Sequence, residues 1–459
     1  MMRMSQAASA LDGELIGGDQ LFTSVSKDTR DIASGALYVA IKGERFDGHA
    51  FIEQAGAAGA TGALVSEQQA VELPQIRVDD TRLALGRLAA HWRQQFKGKL
   101  VGITGSNGKT TVKEMTRSIL EHAAGAAHVL STQGNLNNDI GMPMTLLDLR
   151  EQHQYAVIEM GANHPGEIDY LTHIATPHVA VITNAGPAHL EGFGSLDGVA
   201  SSKAEIYSGI VDSGTAVVNA DDAYADYWRD LCSQLGRNRR VMTFSMLDDT
   251  ADVYAAVSKL NGETAVKIRT PAGAGDVQLA VPGQHNVMNA LAAASVSAAI
   301  GIGIDDIVGG LNAFTGVSGR LASCFTPGGA RVINDTYNAN PLSMHAAIEV
   351  LVSAAEDTWL VLGDMAELGD EKEALHRQVG EQARALGVKH LLATGELARY
   401  AVEAFGSNGK FFEDRQQLVG ELEQGLAGDS VVLVKGSRSM GMEQIVNALV
   451  DRNEGQGGR

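Results

Sequence analysis

The run Gly105-Ser106-Asn107-Gly108-Lys109-Thr110-Thr111 constrains the fold more than any other stretch, because of what flanks it. An apolar run at 100–104 precedes it, and after it Val112, Met115 and Ile119 recur on one helical face. A strand that turns through glycines into a helix is one β-loop-α unit, and such units build mainly parallel sheets covered by helices. Loop glycines let backbone N–H groups face an anion, and the helix N-terminus adds positive potential. Lys109 then has the reach for terminal phosphates, and Thr110 the hydroxyl for Mg²⁺. The run departs from the full Walker pattern, whose first glycine would fall at Ile103. The bland alternative is a helix-capping turn that happens to contain Gly-Lys-Thr; the flanking strand and helix favour phosphate binding.

At 459 residues the chain exceeds one ordinary core. A prior of roughly 150 residues per domain points to about three domains, each able to bury a core. The fold class expected is α/β. Residues 1–82 read as a small α/β domain, with short apolar stretches at 36–41, 62–65 and 75–78, and a helix at 83–96 leads onward. Residues 83–317 read as the P-loop domain, with buried strands at 155–160, 179–183 and 215–219. Alternating runs over 252–281, with turns at Asn261-Gly262 and Gly273, predict antiparallel strands on its edge, and a helix at 286–300 closes it. Residues 318–459 carry a third series of strands at 331–334, 359–362, 390–394 and 431–434, a doubly wound, Rossmann-like unit.

A hydrophobic fraction of 44% and a charged fraction of 20% fit a soluble globular protein. The formal net charge of -19 disfavours a nucleic-acid polymer as partner. Anionic small ligands stay open to it, because local N–H groups hold them whatever the global sign. The start, Met1-Met2-Arg3-Met4-Ser5, lacks an apolar targeting core, and no later run is long enough to span a bilayer, so a cytoplasmic location without membrane insertion is expected. Cys232 and Cys324, far apart, predict neither a disulfide nor a cysteine metal site.

In open α/β sheets ligands bind outside the carboxyl ends of the strands. Glu159 stands at such an end, a candidate Mg²⁺ ligand there, although an acid in that position is ordinarily solvated or capping. The run after strand 179–183 delivers His189, a candidate ligand for a second Mg²⁺ or simply a satisfied polar side chain. Lys203, on the helix that follows, reads by itself as an ordinary exposed lysine.

Together with the phosphate loop, Gly134-Asn135-Leu136-Asn137-Asn138-Asp139-Ile140-Gly141-Met142-Pro143 and Glu159-Met160-Gly161-Ala162-Asn163 resemble the Mur ligases. Gly283-Gln284-His285-Asn286 with Asn289, then Ser318-Gly319-Arg320, then Asn334-Asp335-Thr336-Tyr337-Asn338-Ala339-Asn340-Pro341 continue the likeness in the same order, over nearly the whole chain. Ser26-Lys27-Asp28-Thr29-Arg30 and the run 38–49 resemble the UDP-binding domain of two branches of that family. Residues 363–369 and 435–439 are similar to the branch that adds D-alanyl-D-alanine, and the Asp-Asn-Pro-Arg signature of the diamino-acid-adding branch is absent.

The resemblance implies an ATP-dependent ligase with UDP-N-acetylmuramoyl-tripeptide and D-alanyl-D-alanine as its partners, acting as a monomer. Gly105, Ser106, Asn107, Gly108, Lys109, Thr110 and Thr111 would hold ATP phosphates, and Thr110, Glu159, His189 and Lys203 would serve Mg²⁺, Lys203 as its carbamate. His285, Asn286 and Asn289 would line the adenine side, Arg320 would reach the γ-phosphate and Asp335 the ribose. For the nucleotide precursor and dipeptide the resemblance implies Ser26, Asp28, Arg30, Lys42, Phe46, Asp47, Gly48, His49, Asn135, Asn138, Asn338, Asn340, Lys435, Ser437 and Arg438. Lysine and meso-diaminopimelate stay equally open as the third residue of the tripeptide. The competing readings are the diamino-acid-adding branch, a folylpolyglutamate-synthase-like enzyme, a P-loop switch that hydrolyses ATP to change shape, and a nonenzymatic scaffold.

Overall fold

A computed structural model describes residues 1–43, 46–187, 190–236, 238–260 and 263–450. The first sheet holds five strands in the order Glu14–Ile16, Gln75–Arg77, Gly62–Val65, Ala36–Val39 and Ser24–Ser26, with only the Glu14–Ile16 edge antiparallel. A two-stranded ladder of Met2–Arg3 with Leu21–Phe22 stands beside it.

The second sheet has nine strands, with Lys99–Thr104 between Tyr155–Glu159 and Val179–Ile182. Val129–Ser131 lies outside Tyr155–Glu159; Thr215–Asn219, Arg240–Ser245 and Val253–Leu260 follow on the other side, all parallel. Val179–Ile182 and Thr215–Asn219 are buried throughout, as central strands covered on both faces must be. The antiparallel edge expected over 252–281 is present: Val253–Leu260, Glu263–Thr270 and Gly273–Leu279 pair antiparallel in turn. It joins the rest of the sheet through a parallel step of two residue pairs between the end of Arg240–Ser245 and the start of Val253–Leu260. The Asn261-Gly262 turn lies outside the described residues.

The third sheet has six strands, Ala322–Phe325, Arg331–Asp335, Val431–Lys435, Thr358–Leu362, His390–Ala393 and Gly409–Phe411, parallel except for the first.

In the second sheet the chain leaves Lys99–Thr104, returns on one side through Val129–Ser131 and Tyr155–Glu159, and then crosses to Val179–Ile182 on the other. That reversal opens a crevice at the carboxyl end of Lys99–Thr104, where the glycine loop lies. The cores are not three equal ones. One apolar cluster joins Phe22, Leu37 and Leu64 to Leu85 and Leu88 of helix Thr81–Arg93 and on to Ile158 and Leu171. The clusters of the third sheet are formed entirely from residues 321 onward. The first two units therefore share a core, and the third stands on its own. The boundary expected after residue 82 falls in the first turn of helix Thr81–Arg93, which Asp80 caps by accepting from Arg82 N at 2.7 Å and Leu83 N at 3.0 Å.

Helix Lys109–Ala124, which carries the phosphate loop, packs against helix Ile304–Ala313 at very short range. A Cβ at Gly310 would stand 2.3 Å from Ile119 Cα and 2.6 Å from Ile119 N, and Ser118 Oγ donates to Gly310 O at 2.7 Å. Backbone cannot swing aside as a side chain can. Gly310→Ala is expected to force the helices apart and cost about 1–3 kcal/mol, read as a lower midpoint in urea unfolding. Unchanged stability would mean that the crossing has slack.

Candidate active site

Two glycines set the phosphate loop. Gly105 has φ +144°, and a Cβ there would stand 1.9 Å from Thr183 Oγ1; Gly108 has φ +80°, and its Cβ would meet Asn289 Oδ1 at 2.3 Å. The loop is clamped from the next strand end. Ser106 N donates to Asn184 O at 3.0 Å, Asn107 N to Asn184 Oδ1 at 3.0 Å, and Ser106 Oγ exchanges hydrogen bonds with Gly186 O and N, both at 2.9 Å. Helix Lys109–Ala124 then opens without a side-chain cap, so its first-turn N–H groups are suited to an anion.

Glu159 is only 2% exposed. Its Oε2 accepts from Thr110 Oγ1 at 2.9 Å, its Oε1 from Asn137 Nδ2 at 2.8 Å, and its own N donates to Thr132 Oγ1 at 3.0 Å. Beneath this, Lys113, 1% exposed, donates to Thr132 O at 2.6 Å. Lys109 Nζ folds back on Gly105 O at 2.7 Å and Ser106 O at 3.2 Å. Burial lowers its pKa, Glu159 opposes that shift, and Arg320 adds to it.

The third sheet's unit closes over the same loop. Arg320 donates to Thr110 Oγ1 at 2.9 Å and lies 4.1 Å over the Tyr337 ring, while Asn340 Nδ2 donates to Asn107 Oδ1 at 2.8 Å. Among the described residues, Arg320 Nε and Asn107 Nδ2 are buried without a partner, both at the phosphate end of the cleft. The cleft, about 1330 Å³, is also lined by Thr111, Asn135, Asn138, Asn338, Ser437 and Arg438. That volume exceeds the roughly 300–1,000 Å³ of a single small-ligand site, so it has room for two substrates.

His285, at the start of helix Gln284–Ala299, lines the cleft with its pKa lowered by burial. Asn286 Nδ2 donates to Pro282 O at 2.7 Å, and Asn289 Nδ2 to Asn286 Oδ1 at 3.1 Å, so both asparagines also shape the helix start. Asp335 accepts from Leu321 N at 3.2 Å and pairs with Lys435 at 2.5 Å.

Ser26, Asp28, Lys42 and 46–49 gather apart from this cleft, around Tyr38, whose pKa is raised by burial and by Asp28 and Asp47. Arg30 pairs with Asp28 at 2.6 Å and holds that carboxyl well below its usual range. Tyr38 donates to Gly48 O at 3.1 Å, and Lys42 lies 3.9 Å from Asp47. Phe46 is 57% exposed, edge-on to Phe51 at 5.7 Å. His49 is turned inward, with Nδ1 2.6 Å from Asp47 and Nε2 accepting Ser66 N at 2.9 Å. Its ring ties the loop 46–49 to Ser66.

One expectation needs correction. Lys203 is not an exposed lysine: it is 1% exposed on helix Leu196–Ala204, with Nζ 3.4 Å from Ala162 O and 4.9 Å from the Phe193 ring centre. Burial first, then Lys109, lowers its pKa to about 7. Lys435 is not a free cation for a carboxylate, since besides Asp335 it donates to Asn338 O at 2.8 Å. Ser437 Oγ accepts Ala366 N at 2.7 Å with its own proton still free to donate, and Arg438, 3.2 Å from Glu443, is largely exposed. His189 lies outside the described residues. Lys113, Thr132, Asn137, Asn184 and Tyr337 escaped individual assignment in the sequence. Two of them carried a signal, Asn137 and Tyr337, which fall inside the runs 134–143 and 334–341 that carry the resemblance.

Comparison with known proteins agrees with this geometry. The model described as Mur ligase family, catalytic domain, matches residues 21–93; the Mur ligase middle domain matches 103–297; and the Mur ligase, glutamate ligase domain, matches 319–438. The UDP-N-acetylmuramoyl-tripeptide--D-alanyl-D-alanine ligase of Escherichia coli (strain K12) is 45% identical, over 97% of this chain and 98% of that protein. The UDP-N-acetylmuramoylalanyl-D-glutamyl-2,6-diaminopimelate--D-alanyl-D-alanyl ligase of Acinetobacter baumannii superposes with a TM-score of 0.86 at 38% identity, over 98% of each chain. The MurF ligase of Thermotoga maritima in complex with ADP gives 0.81 at 28% identity, over 94% of this chain and 97% of that one. With its three units matched in order and a relative of this identity along its length, the chain belongs to the Mur ligase family.

Proposed function

We propose that the chain is an ADP-forming ligase that joins D-alanyl-D-alanine to UDP-N-acetylmuramoyl-tripeptide, working as a cytoplasmic monomer in the synthesis of peptidoglycan precursors. The observation that carries the reading is Arg320, which reaches from the third unit to Thr110 beside Glu159, so that the phosphate end of the cleft is built from two units. A ligase needs that closure, because its activated acyl group must be kept from water. The name of the Escherichia coli relative supports these substrates, and that of the Acinetobacter baumannii structure supports 2,6-diaminopimelate as the third residue of the tripeptide. Among the described residues no helix is long and apolar enough to cross a membrane.

A carboxylate and an amine condense too slowly in water because oxide is a poor leaving group. A carboxylate oxygen of the tripeptide first attacks the γ-phosphorus of ATP; the bond from phosphorus to the bridging oxygen breaks and ADP departs. The neutral amine of the dipeptide then attacks the acyl carbon, the carbon–oxygen bond to phosphate breaks, and the nitrogen gives up a proton. Lys109, Arg320 and the N–H groups of the first helical turn neutralise the transferring phosphoryl group, and little covalent help is required. His285, Asn286 and Asn289 hold the adenine side, and Asp335 the ribose. The uridine nucleotide is assigned to the Ser26, Asp28, Lys42 and 46–49 cluster, and the dipeptide to the third-unit side of the cleft. There Arg438 offers its guanidinium to the free carboxylate.

Thr110 Oγ1 and Glu159 present hard oxygen donors at a buried spot, which suits Mg²⁺. The described residues hold no cluster of three His, Cys, Asp or Glu side chains, in keeping with an ion that takes most of its ligands from phosphates and water. Mg²⁺, when bound, spreads the negative charge of the phosphates. Lys203 fits carbamylation: with a pKa near 7 its amine is readily neutral, and addition to CO₂ with loss of one proton turns a buried cation into an anionic oxygen donor.

In an assay of ADP release, both the tripeptide nucleotide and D-alanyl-D-alanine are expected to be required; equal turnover without them would favour a P-loop switch. Lys109→Ala is expected to abolish ligation while leaving the unfolding midpoint nearly unchanged, since its partners are loop carbonyls. A loss of stability like that of a core deletion would count against it. Lys203→Ala is expected to lose most activity, Lys203→Arg not to restore it, and a small added carboxylate to rescue the alanine variant in part. Full activity in Lys203→Arg would end the carbamate reading.

A further inference from the structure

His376 lies on helix Lys372–Leu386 and has no exposed surface. Both ring nitrogens are engaged: Nδ1 stands 2.6 Å from Lys372 O, one helical turn back, and Nε2 accepts the backbone N–H of Met365 at 2.9 Å. A carbonyl at one nitrogen and an N–H at the other leave a single arrangement, a neutral imidazole with its proton on Nδ1. Burial lowers its pKa below the usual 6.5 against the pull of the Lys372 carbonyl and the nearby Asp364, so the neutral ring is the form retained.

Met365 belongs to the loop 363–369 that leaves strand Thr358–Leu362. The loop is tied down on either side of it. Asp364 Oδ1 accepts from Leu397 N at 3.0 Å and Ala398 N at 2.8 Å, and Ala366 N donates to Ser437 Oγ at 2.7 Å. Ala366, Glu367 and Leu368 line the central cleft, and the same three residues line a second cavity of about 1030 Å³ whose other side is formed by residues of 190–196. His376 therefore stands directly behind the wall that separates, and is shared by, the two spaces.

We propose that His376 is a positioning residue for the amine substrate: by accepting the Met365 N–H it fixes the course of 365–368, the wall against which the dipeptide is held. The inference rests on the assignment of D-alanyl-D-alanine to this side of the cleft. His376 touches no substrate and takes no proton in the reaction.

Amide side chains separate its two nitrogens. In His376→Gln the amide reaches the place of Nε2 and can turn its oxygen to Met365 N–H. In His376→Asn it reaches only the place of Nδ1, so the bond to Lys372 O can survive while the Met365 acceptor is lost. Steady-state rates of both full-length variants, with each substrate varied in turn, test the role. His376→Gln is expected to keep the dipeptide KM within about twofold, and His376→Asn to raise it about tenfold, the scale of one buried hydrogen bond. The KM for ATP should move in neither, although both lose thermal stability. Equal dipeptide KM values in the two variants overturn the proposal, whatever their stability, because a merely structural histidine would not separate them. If the two differ in the KM for the tripeptide nucleotide instead, the role toward the amine falls. Arg438→Ala tells the assignments apart: an unchanged dipeptide KM there locates the failure in the placement of the dipeptide.

Discussion

A carboxylate with 2% of its surface exposed must be hydrogen-bonded or neutralised, and at Glu159 that requirement organises the site. Thr110 comes from the P-loop helix and Asn137 from the loop before helix Gly141–Leu147, while Thr132 fixes the backbone beneath. Two cations, Lys109 and Arg320, stand around one carboxylate, and Arg320 contributes to the lowered pKa of Lys109. The surplus positive charge is unfavourable by itself. A polyphosphate relieves it, so electrostatic complementarity to ATP is set before the nucleotide arrives.

The division of cores decides which part of this arrangement can move. The first two units share one apolar cluster, which fixes the distance from the Tyr38 cluster to the phosphate loop. The third unit has its own clusters and is joined through Gly316 at φ +111°, Gly319 at φ +71° and Leu321 at φ +53°. Its contacts with the loop are few and polar: Arg320 to Thr110, and Asn340 to Asn107. Such contacts break at little cost, as a closing domain requires. Asn340 also caps helix Pro341–Ala354 through Ser343 N at 2.9 Å, so one side chain registers that helix against the phosphate loop.

Much of the fold was legible because central parallel strands such as Val179–Ile182 and Thr358–Leu362 are buried apolar runs and the glycine loop sits between two unambiguous elements. The short parallel step from Arg240–Ser245 into Val253–Leu260 was not, since alternation reports a half-buried face and not which way the neighbour runs. Among site residues, the sequence identified chemistry better than orientation. Lys435 and Asp335 are 100 positions apart, and nothing local to either foretells that they neutralise each other. Lys203 reads as a surface charge because helix Leu196–Ala204 has small and polar residues on every side; only tertiary packing buries it.

Four polar residues near the strand ends share a physical role. Asn184 accepts Asn107 N, His49 accepts Ser66 N, Asp364 accepts Leu397 N and Ala398 N, and Ser437 accepts Ala366 N. Each satisfies a backbone donor of a loop at or beside a strand end. Such loops have left the sheet and have no neighbouring strand to pair with, yet a buried N–H without a partner costs about 1–3 kcal/mol. A side-chain acceptor from the adjacent loop meets that demand and fixes the loop's course at once. Polar residues must therefore crowd the carboxyl ends of these sheets whether or not they face a ligand. Lys109 on the phosphate loop and Arg320 between the second and third units differ from these in kind: each carries a formal charge, and the oxygens each donates to are neutral carbonyls or a hydroxyl.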